Sequence, residues 1–259
     1  PAATRRRSQS AVVGPIHLHS LKIIAIIPAR MASSRLPGKP LAEIAGIPMV
    51  VHTWRAASRH PGIARVIVAT DDQAIAEAVR TAGGEANMTG VHVSGTDRCH
   101  EVWLGLGSPD TPILNLQGDE PFPDAAHLDA MCTALQRGTW DVVTPMRTAH
   151  PGEIEQPERV KVATDENGRA LSFSRAPTAH QATGGIHIGI YGFAPGMLGH
   201  CASLPEGLLE KKEKLEQLRW LEAGVSIGVV HVTDATGPGS VDTPDDLERV
   251  RNWYAANNT

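Results

Sequence analysis

The stretch Pro28-Ala-Arg-Met-Ala-Ser-Ser-Arg-Leu-Pro-Gly-Lys-Pro40 gathers two arginines, a lysine, small residues and a glycine. Small residues let backbone N–H groups approach an anion, and Arg30, Arg35 and Lys39 supply charge that matches a polyphosphate. It is not a Walker loop, because Pro40 follows Gly38-Lys39, and it is not a G-x-G-x-x-G loop. Two further stretches, Gln117-Gly-Asp-Glu-Pro121 and Val241-Asp-Thr-Pro-Asp245, place Asp119 and Asp242 at turns where a carboxylate can hold a divalent cation. Each alone is an ordinary Asp-containing turn. Together, a basic anion loop and two such carboxylates form the set used in metal-assisted phosphoryl or nucleotidyl transfer.

A fourth stretch, His92-Val-Ser-Gly-Thr-Asp-Arg98, offers hydroxyls at Ser94 and Thr96, with a glycine that lets backbone groups meet a base edge. From the residues alone a capped helix start is the simpler reading. Cys99-His100-Glu101 is no metal cluster, since adjacent side chains on a helix do not face one site. The twelve histidines include no H-E-x-x-H, and no G-x-S-x-G elbow occurs.

The elements that must position these residues follow from periodicity. Leu21-Lys-Ile-Ile-Ala-Ile-Ile-Pro28 reads as a buried strand, residues 49–60 as a helix and 65–70 as a second strand. Asp71 or Asp72 caps the next helix, which carries Ile75, Ala76 and Val79 and stops at Gly83-Gly84. A third strand spans 112–117 and a further helix 124–136. This alternation predicts an α/β, Rossmann-like fold with a mostly parallel central sheet covered on both faces. From about residue 141 the rhythm changes. Strands over 141–145, 160–163, 170–173 and 186–193 lack long helices between them, and Asp165-Glu-Asn-Gly168 is a hairpin-type turn. That adds a small mixed-sheet part. One helix over 208–222, a strand over 226–232 and a last helix over 244–256, capped by Thr243 with Pro244 at N1, complete the chain. In such open sheets ligands bind outside the carboxyl ends of the strands, where the Asp and Lys stretches fall.

Composition bounds the rest. Over 259 residues, 41% are hydrophobic and 4% aromatic, so aliphatic packing carries the core and the composition weighs against binding by base stacking on aromatics. The first twenty residues hold three arginines and no acid and read as a flexible tail; the remainder carries 21 basic against 28 acidic residues, a net charge of −7. That excludes a polyanion-coating surface. Cys99, Cys132 and Cys201 lie far apart, which suits a reducing cytoplasm. No apolar run approaches the ~20 residues of a membrane span.

The chain from Leu21 to Arg251 resembles the CMP-Kdo synthetase family, the 3-deoxy-manno-octulosonate cytidylyltransferases. Seven blocks carry the resemblance in the family's order: Ile-Pro-Ala-Arg-x-Ala-Ser-Ser-Arg-Leu-Pro-Gly-Lys-Pro, Ser-Gly-Thr-Asp-Arg, Asn-Leu-Gln-Gly-Asp-Glu-Pro, Phe-Ser-Arg-Ala-Pro, His-Ile-Gly-Ile-Tyr-Gly, Leu-Glu-Gln-Leu-Arg and Val-Asp-Thr-Pro-Asp-Asp-Leu. The resemblance implies one nucleotidyltransferase domain over 21–259, with an acceptor-binding subregion at about 145–205, a homodimer, and magnesium as cofactor. It implies that Arg30, Ser33, Arg35 and Lys39 grip the CTP triphosphate, and that Ser94, Gly95, Thr96 and Gln117 recognise cytosine and ribose. Asp119 and Asp242 match magnesium carboxylates, and with Lys39 and Arg30 form the expected catalytic set. Arg175, His187, Tyr191, Glu216 and Gln217 match positions that hold the acidic sugar.

The expected reaction transfers CMP from CTP to Kdo with release of pyrophosphate, a step of lipopolysaccharide biosynthesis. One departure is visible: only residues 178–186 join the fourth and fifth blocks, a shorter connection than in family members. Two rivals stay open on sequence. One keeps the reaction with another acidic acceptor, such as an 8-amino Kdo analogue or a small phosphonate or carboxylate. The other is an inactive, CTP-binding regulatory protein.

Overall fold

The computed structural model describes residues 22–33, 35–177 and 184–258. The expectations for the first twenty residues and for most of the 178–186 connection lie outside the described residues. Among the described residues no helix is long and apolar enough to cross a membrane.

The first strand, β1 (Ile23–Ala29), shows why the chain builds a layered sheet. Ile23, Ala25 and Ile27 join one buried cluster, whereas Ile24 and Ile26 join another on the opposite face. A strand alternates its side chains, so an unbroken apolar run demands cover on both sides. On one face that cover is α1 (Met49–Ser58), entered from the short hairpin β2 (Glu43–Ile44) and β3 (Ile47–Pro48), with α2 (Gln73–Thr81) and α4 (Ala125–Arg137), through Val50, Ile75, Val79, Leu128 and Leu135. On the other it is α3 (Gly95–Leu106), α5 (Met197–Ser203) and α7 (Gln217–Glu222), through Cys99, Val102, Leu198, Leu218 and Trp220. Asp72 and Asp124 cap α2 and α4 by accepting from backbone N–H groups one turn in.

In the sheet, β5 (Glu85–Met88), β4 (Ile63–Thr70), β1 and β6 (Ile113–Asn115) run parallel, in that order. Antiparallel β11 (Tyr191–Phe193) then joins β6 to β7 (Val142–Arg147). Because β11 opposes both neighbours, β7 points the same way as β6. The carboxyl ends of β6 and β7 therefore open on one edge. The mixed part continues through β10 (Gly184–His187), β8 (Lys161–Thr164) and β9 (Ala170–Ser174), with β12 (Ile227–Val232) parallel to β7 on its other side. Arg169 bridges Gly228, so the β8–β9 hairpin curls back onto β12. Gly184 and Gly185 suit a strand held tightly between neighbours: a Cβ there would lie 2.3 Å from Val162 O and 2.2 Å from Arg147 O.

Two expected elements are corrected. The strand over 186–193 is two strands, β10 and β11, laid end to end along one edge of β7. The buried Thr144 hydroxyl lies 2.7 Å from Ile190 O, and Ile190 N–H turns back to Ile188 O at 2.8 Å, so the ladder is interrupted between them. The helix over 208–222 is also two, α6 (Leu208–Glu213) and α7, because Lys214 takes a left-handed φ of 57°. Arg219 clamps Glu210 bidentately at 2.5 and 2.6 Å. Nine positions along one straight helix would set their Cα atoms about 13 Å apart, so the break is what lets this buried pair close.

Candidate active site

Three distant segments converge on one ammonium group. Beyond β1 the chain turns through Gly38, with φ 71°, into a short 3-10 turn (Lys39–Leu41). Lys39 Nζ donates to Asp119 Oδ2 at 2.9 Å, to Val241 O at 2.9 Å and to Asp242 Oδ1 at 3.2 Å. Arg35 reaches the same Asp242 oxygen at 3.0 Å. Asp242 is set there by α8 (Pro244–Asn257), whose Thr243–Asp246 capping box also accepts the Asp242 N–H at 3.1 Å. Lys39, Asp119 and Asp242 are thus brought together from three places in the sequence.

Gly118 permits that approach. A Cβ at Gly118 would sit 2.7 Å from Pro28 O, inside contact distance of the first strand's exit. Gly118→Ala is expected to lower Tm by roughly 3–10 °C and to weaken CTP binding, because the backbone must shift where Asp119 is placed. Thermal unfolding and calorimetry check both effects. An unchanged Tm and CTP affinity would show that the segment yields freely.

Two cavities open at this edge and share Gly95, Gln117 and Asp119. The narrower, about 310 Å³, is lined by Arg30, Ser33, Arg35, Lys39, Ser94 and Asp242, with Arg98 and His92 on its wall. Ser94 caps α3 by accepting the Asp97 N–H at 3.0 Å, so the start of that helix faces the cavity. Arg98 is buried and committed to Asp71 at 3.0 Å and the Thr89 hydroxyl at 2.7 Å. Its role there is to brace the wall.

The wider cavity, about 640 Å³, is lined by Thr96, His187, Tyr191, Glu216 and Gln217. The Thr96 hydroxyl donates to Glu216 Oε2 at 2.7 Å. Burial raises the Glu216 carboxyl above its ordinary range, against the stabilising Thr96 and Ser94 hydroxyls. Burial, with Glu216 close by, also raises the Tyr191 phenol. Arg175 lines neither cavity: its guanidinium donates to Glu213 O at 3.2 Å and Pro157 O at 3.3 Å.

His187 lies 2.8 Å from the Thr144 hydroxyl. That hydroxyl spends its single hydrogen on the Ile190 carbonyl, so His187 Nε2 carries the proton and Nδ1 is the acceptor. Burial alone lowers the imidazole from 6.5 to about 3. The unfolded chain therefore binds the extra proton between those values, and stability falls as pH drops through that window. Above it the ring is neutral. Acceptor KM measured from pH 5 to 8 is expected to show no His187 inflection. An inflection near 6.5 that disappears in His187→Gln would contradict this environment.

The wider cavity also contains residues that sequence reading passed over. Arg147, at the carboxyl end of β7, is held by Glu153 at 2.6 and 2.7 Å, and that pairing keeps Glu153 down at about 2 despite burial. His150 and Asp234 pair at 3.2 Å, and Arg159 stands on the same wall. Glu120, next to Asp119, is pushed up to about 7 by burial and by Asp119 and Asp124. The signal for Arg147 and Asp234 was available: both lie at carboxyl ends of strands, β7 and β12, on the binding edge.

Among the described residues no group of three or more His, Cys, Asp or Glu could hold a metal alone. The donor set nevertheless suits magnesium, which is commonly bound through one or two carboxylates with phosphate and water oxygens completing the shell. Asp119 and Asp242 already share one cation, the Lys39 ammonium, and border the cavity with the phosphate-type loop.

This basic loop, paired carboxylates and twin cavities on a mostly parallel sheet define a nucleotidyltransferase. The cytidylyltransferase family pattern matches residues 24–227, and the chain belongs to that family. Its similarity is specific within the family. A 3-deoxy-manno-octulosonate cytidylyltransferase of Anaeromyxobacter sp. (strain K) is 45% identical over 240 residues, 90% of this chain and 98% of its own length. Another, from Methylorubrum extorquens (strain PA1), is 44% identical over 243 residues, 90% of this chain and 96% of its own. A CMP:2-keto-3-deoxy-manno-octonic acid synthetase solved in complex with CTP superposes with a TM-score of 0.84 at 40% identity, covering 91% of this chain and 99% of its own.

Proposed function

We propose that this enzyme transfers CMP from CTP to Kdo, releasing pyrophosphate and leaving a CMP-activated acidic sugar. The observation that carries the reading is the meeting of Lys39, Asp119 and Asp242 where the two cavities join, one suited to a nucleotide and the other to a polar acceptor. Arg30, Arg35 and Lys39 take up triphosphate charge, with Ser33 and the start of α3 adding donors. Ser94, Gly95 and Gln117 bound the nucleoside end. In the wider cavity Thr96, Glu216, Gln217, Tyr191 and His187 Nδ1 orient the acceptor's hydroxyls.

The acceptor hydroxyl oxygen bonds to the α-phosphorus as the bond to the departing pyrophosphate breaks and the hydroxyl proton is lost to solvent, in line and without a covalent enzyme intermediate. Positioning and charge neutralisation carry the rate. Magnesium, held by Asp119 and Asp242, would supply Lewis-acid stabilisation of the phosphate charge. Its need is physical, since CTP and the sugar acid are both anions entering a net-negative protein.

Pyrophosphate release with CTP, magnesium and a panel of acids tests the reading. Turnover with Kdo above the 8-amino analogue and smaller acids supports it; preference for another acid redirects the acceptor, and no turnover with any of them overturns the enzyme reading. On the family resemblance we also propose a cytoplasmic homodimer. Light scattering at twice the chain mass supports the dimer, and a monomer at assay concentration overturns it.

A further inference from the structure

Lys39 has three N–H donors, and all three are used. Asp119, Asp242 and the Val241 carbonyl take them at 2.9, 3.2 and 2.9 Å. The Lys39 side chain is 14% exposed, against 30% and 38% for the two carboxylates, so the lysine is the more buried member of each pair. It occupies the position between the two acids that a divalent cation would need. Yet Lys39 also lines the narrow cavity beside Arg30 and Ser33, and the proposed function gives it a place on the triphosphate. One ammonium with three donors cannot serve both arrangements in full.

We infer that Lys39 is an internal counter-ion that fills the cation position between Asp119 and Asp242 until CTP draws it away. Metal therefore gains both carboxylates only together with nucleotide. Lysine suits this exchange because its charge rides on a flexible four-carbon stem, while the backbone beneath it is fixed by the Gly38 turn and buried Pro40. Arg35, on Asp242 with a side chain 64% exposed, strengthens the same neutralisation from the solvent side. The arrangement keeps two like charges from repelling before nucleotide arrives, and it withholds a complete metal site from free cations. The inference rests on the cytidylyltransferase reading but adds an order of binding to it.

Manganese, visible by electron paramagnetic resonance, serves as the metal probe on the full chain. Without CTP, Lys39→Met is expected to bind Mn²⁺ at least about tenfold more tightly than wild type, because the competing cation is gone. With CTP, the wild type is expected to close most of that gap. Wild-type melting gives a reading that needs no variant. Mg²⁺ alone is expected to leave Tm unchanged, whereas Mg²⁺ with CTP raises it beyond CTP alone. Equal Mn²⁺ affinity of wild type and Lys39→Met without CTP overturns the inference, as does wild-type metal binding that is equally tight with and without nucleotide; in both cases the reaction class stands. Metal binding by neither protein, even with CTP, overturns the magnesium assignment and this inference together.

Discussion

Asp119→Asn is expected to lose at least about a hundredfold in turnover while folding normally. The substitution preserves shape and removes the charge that faces both cavities. Losing a carboxylate from a metal-assisted transfer costs several kcal/mol of transition-state stabilisation, and each ~1.4 kcal/mol is tenfold in rate. Stability changes little, because the Asp119–Lys39 pair is part-exposed and Lys39 keeps Asp242 and the Val241 carbonyl as partners. Pyrophosphate release at saturating CTP and acceptor, across a magnesium series, separates the two effects. Near-normal turnover at limiting magnesium would remove Asp119 from the chemistry. Asp242→Asn is expected to follow it and also to release Arg35.

Glu216→Ala is the second large effect, and it falls on the other substrate. Acceptor kcat/KM is expected to drop roughly 10- to 100-fold, with CTP affinity unchanged within about twofold, since hydrogen bonds to a charged group are worth about 1.5–3 kcal/mol. The change removes a carboxylate that lines the wider cavity and strands the buried Thr96 hydroxyl that donates to it. Initial rates against acceptor and calorimetry with CTP test the split. Should CTP affinity fall as far as acceptor efficiency, Glu216 shapes the nucleotide cavity through Thr96 and is not an acceptor group.

The residues that announced themselves in sequence were those whose local pattern is also their chemistry. The β1 run and the Asp72 and Thr243 caps each fix a backbone path from adjacent residues, and each occurs as expected. What escaped depends on tertiary contacts. Nothing near Lys214 marks a break, and the reason for it, the Arg219–Glu210 clamp, spans nine positions. The split between β10 and β11 is set by the Thr144 hydroxyl, more than forty positions away from the strand it interrupts. Arg175 sits in a strongly matching block, yet the direction of its side chain is decided by the Glu213 and Pro157 carbonyls, which no local pattern encodes.

The meeting of Lys39 with Asp242 spans 203 positions, against 80 for Lys39 with Asp119. Contacts so distant along the chain close late, because the entropy of a long loop is lost before the contact rewards it. During synthesis, β1, β4, β5 and β6 all emerge before residue 116, and can pair while the second carboxylate is still unmade. A ribosome-bound chain extended just past Asp119 holds Lys39 and the first of its two carboxylate partners but not the second. The Lys39–Asp119–Asp242 cluster is complete only when α8 docks and carries Asp242 back to the first strand's exit. Assembly of that cluster therefore reports a docked α8, where hydrogen-exchange protection in β1 and β4 reports only that folding has begun.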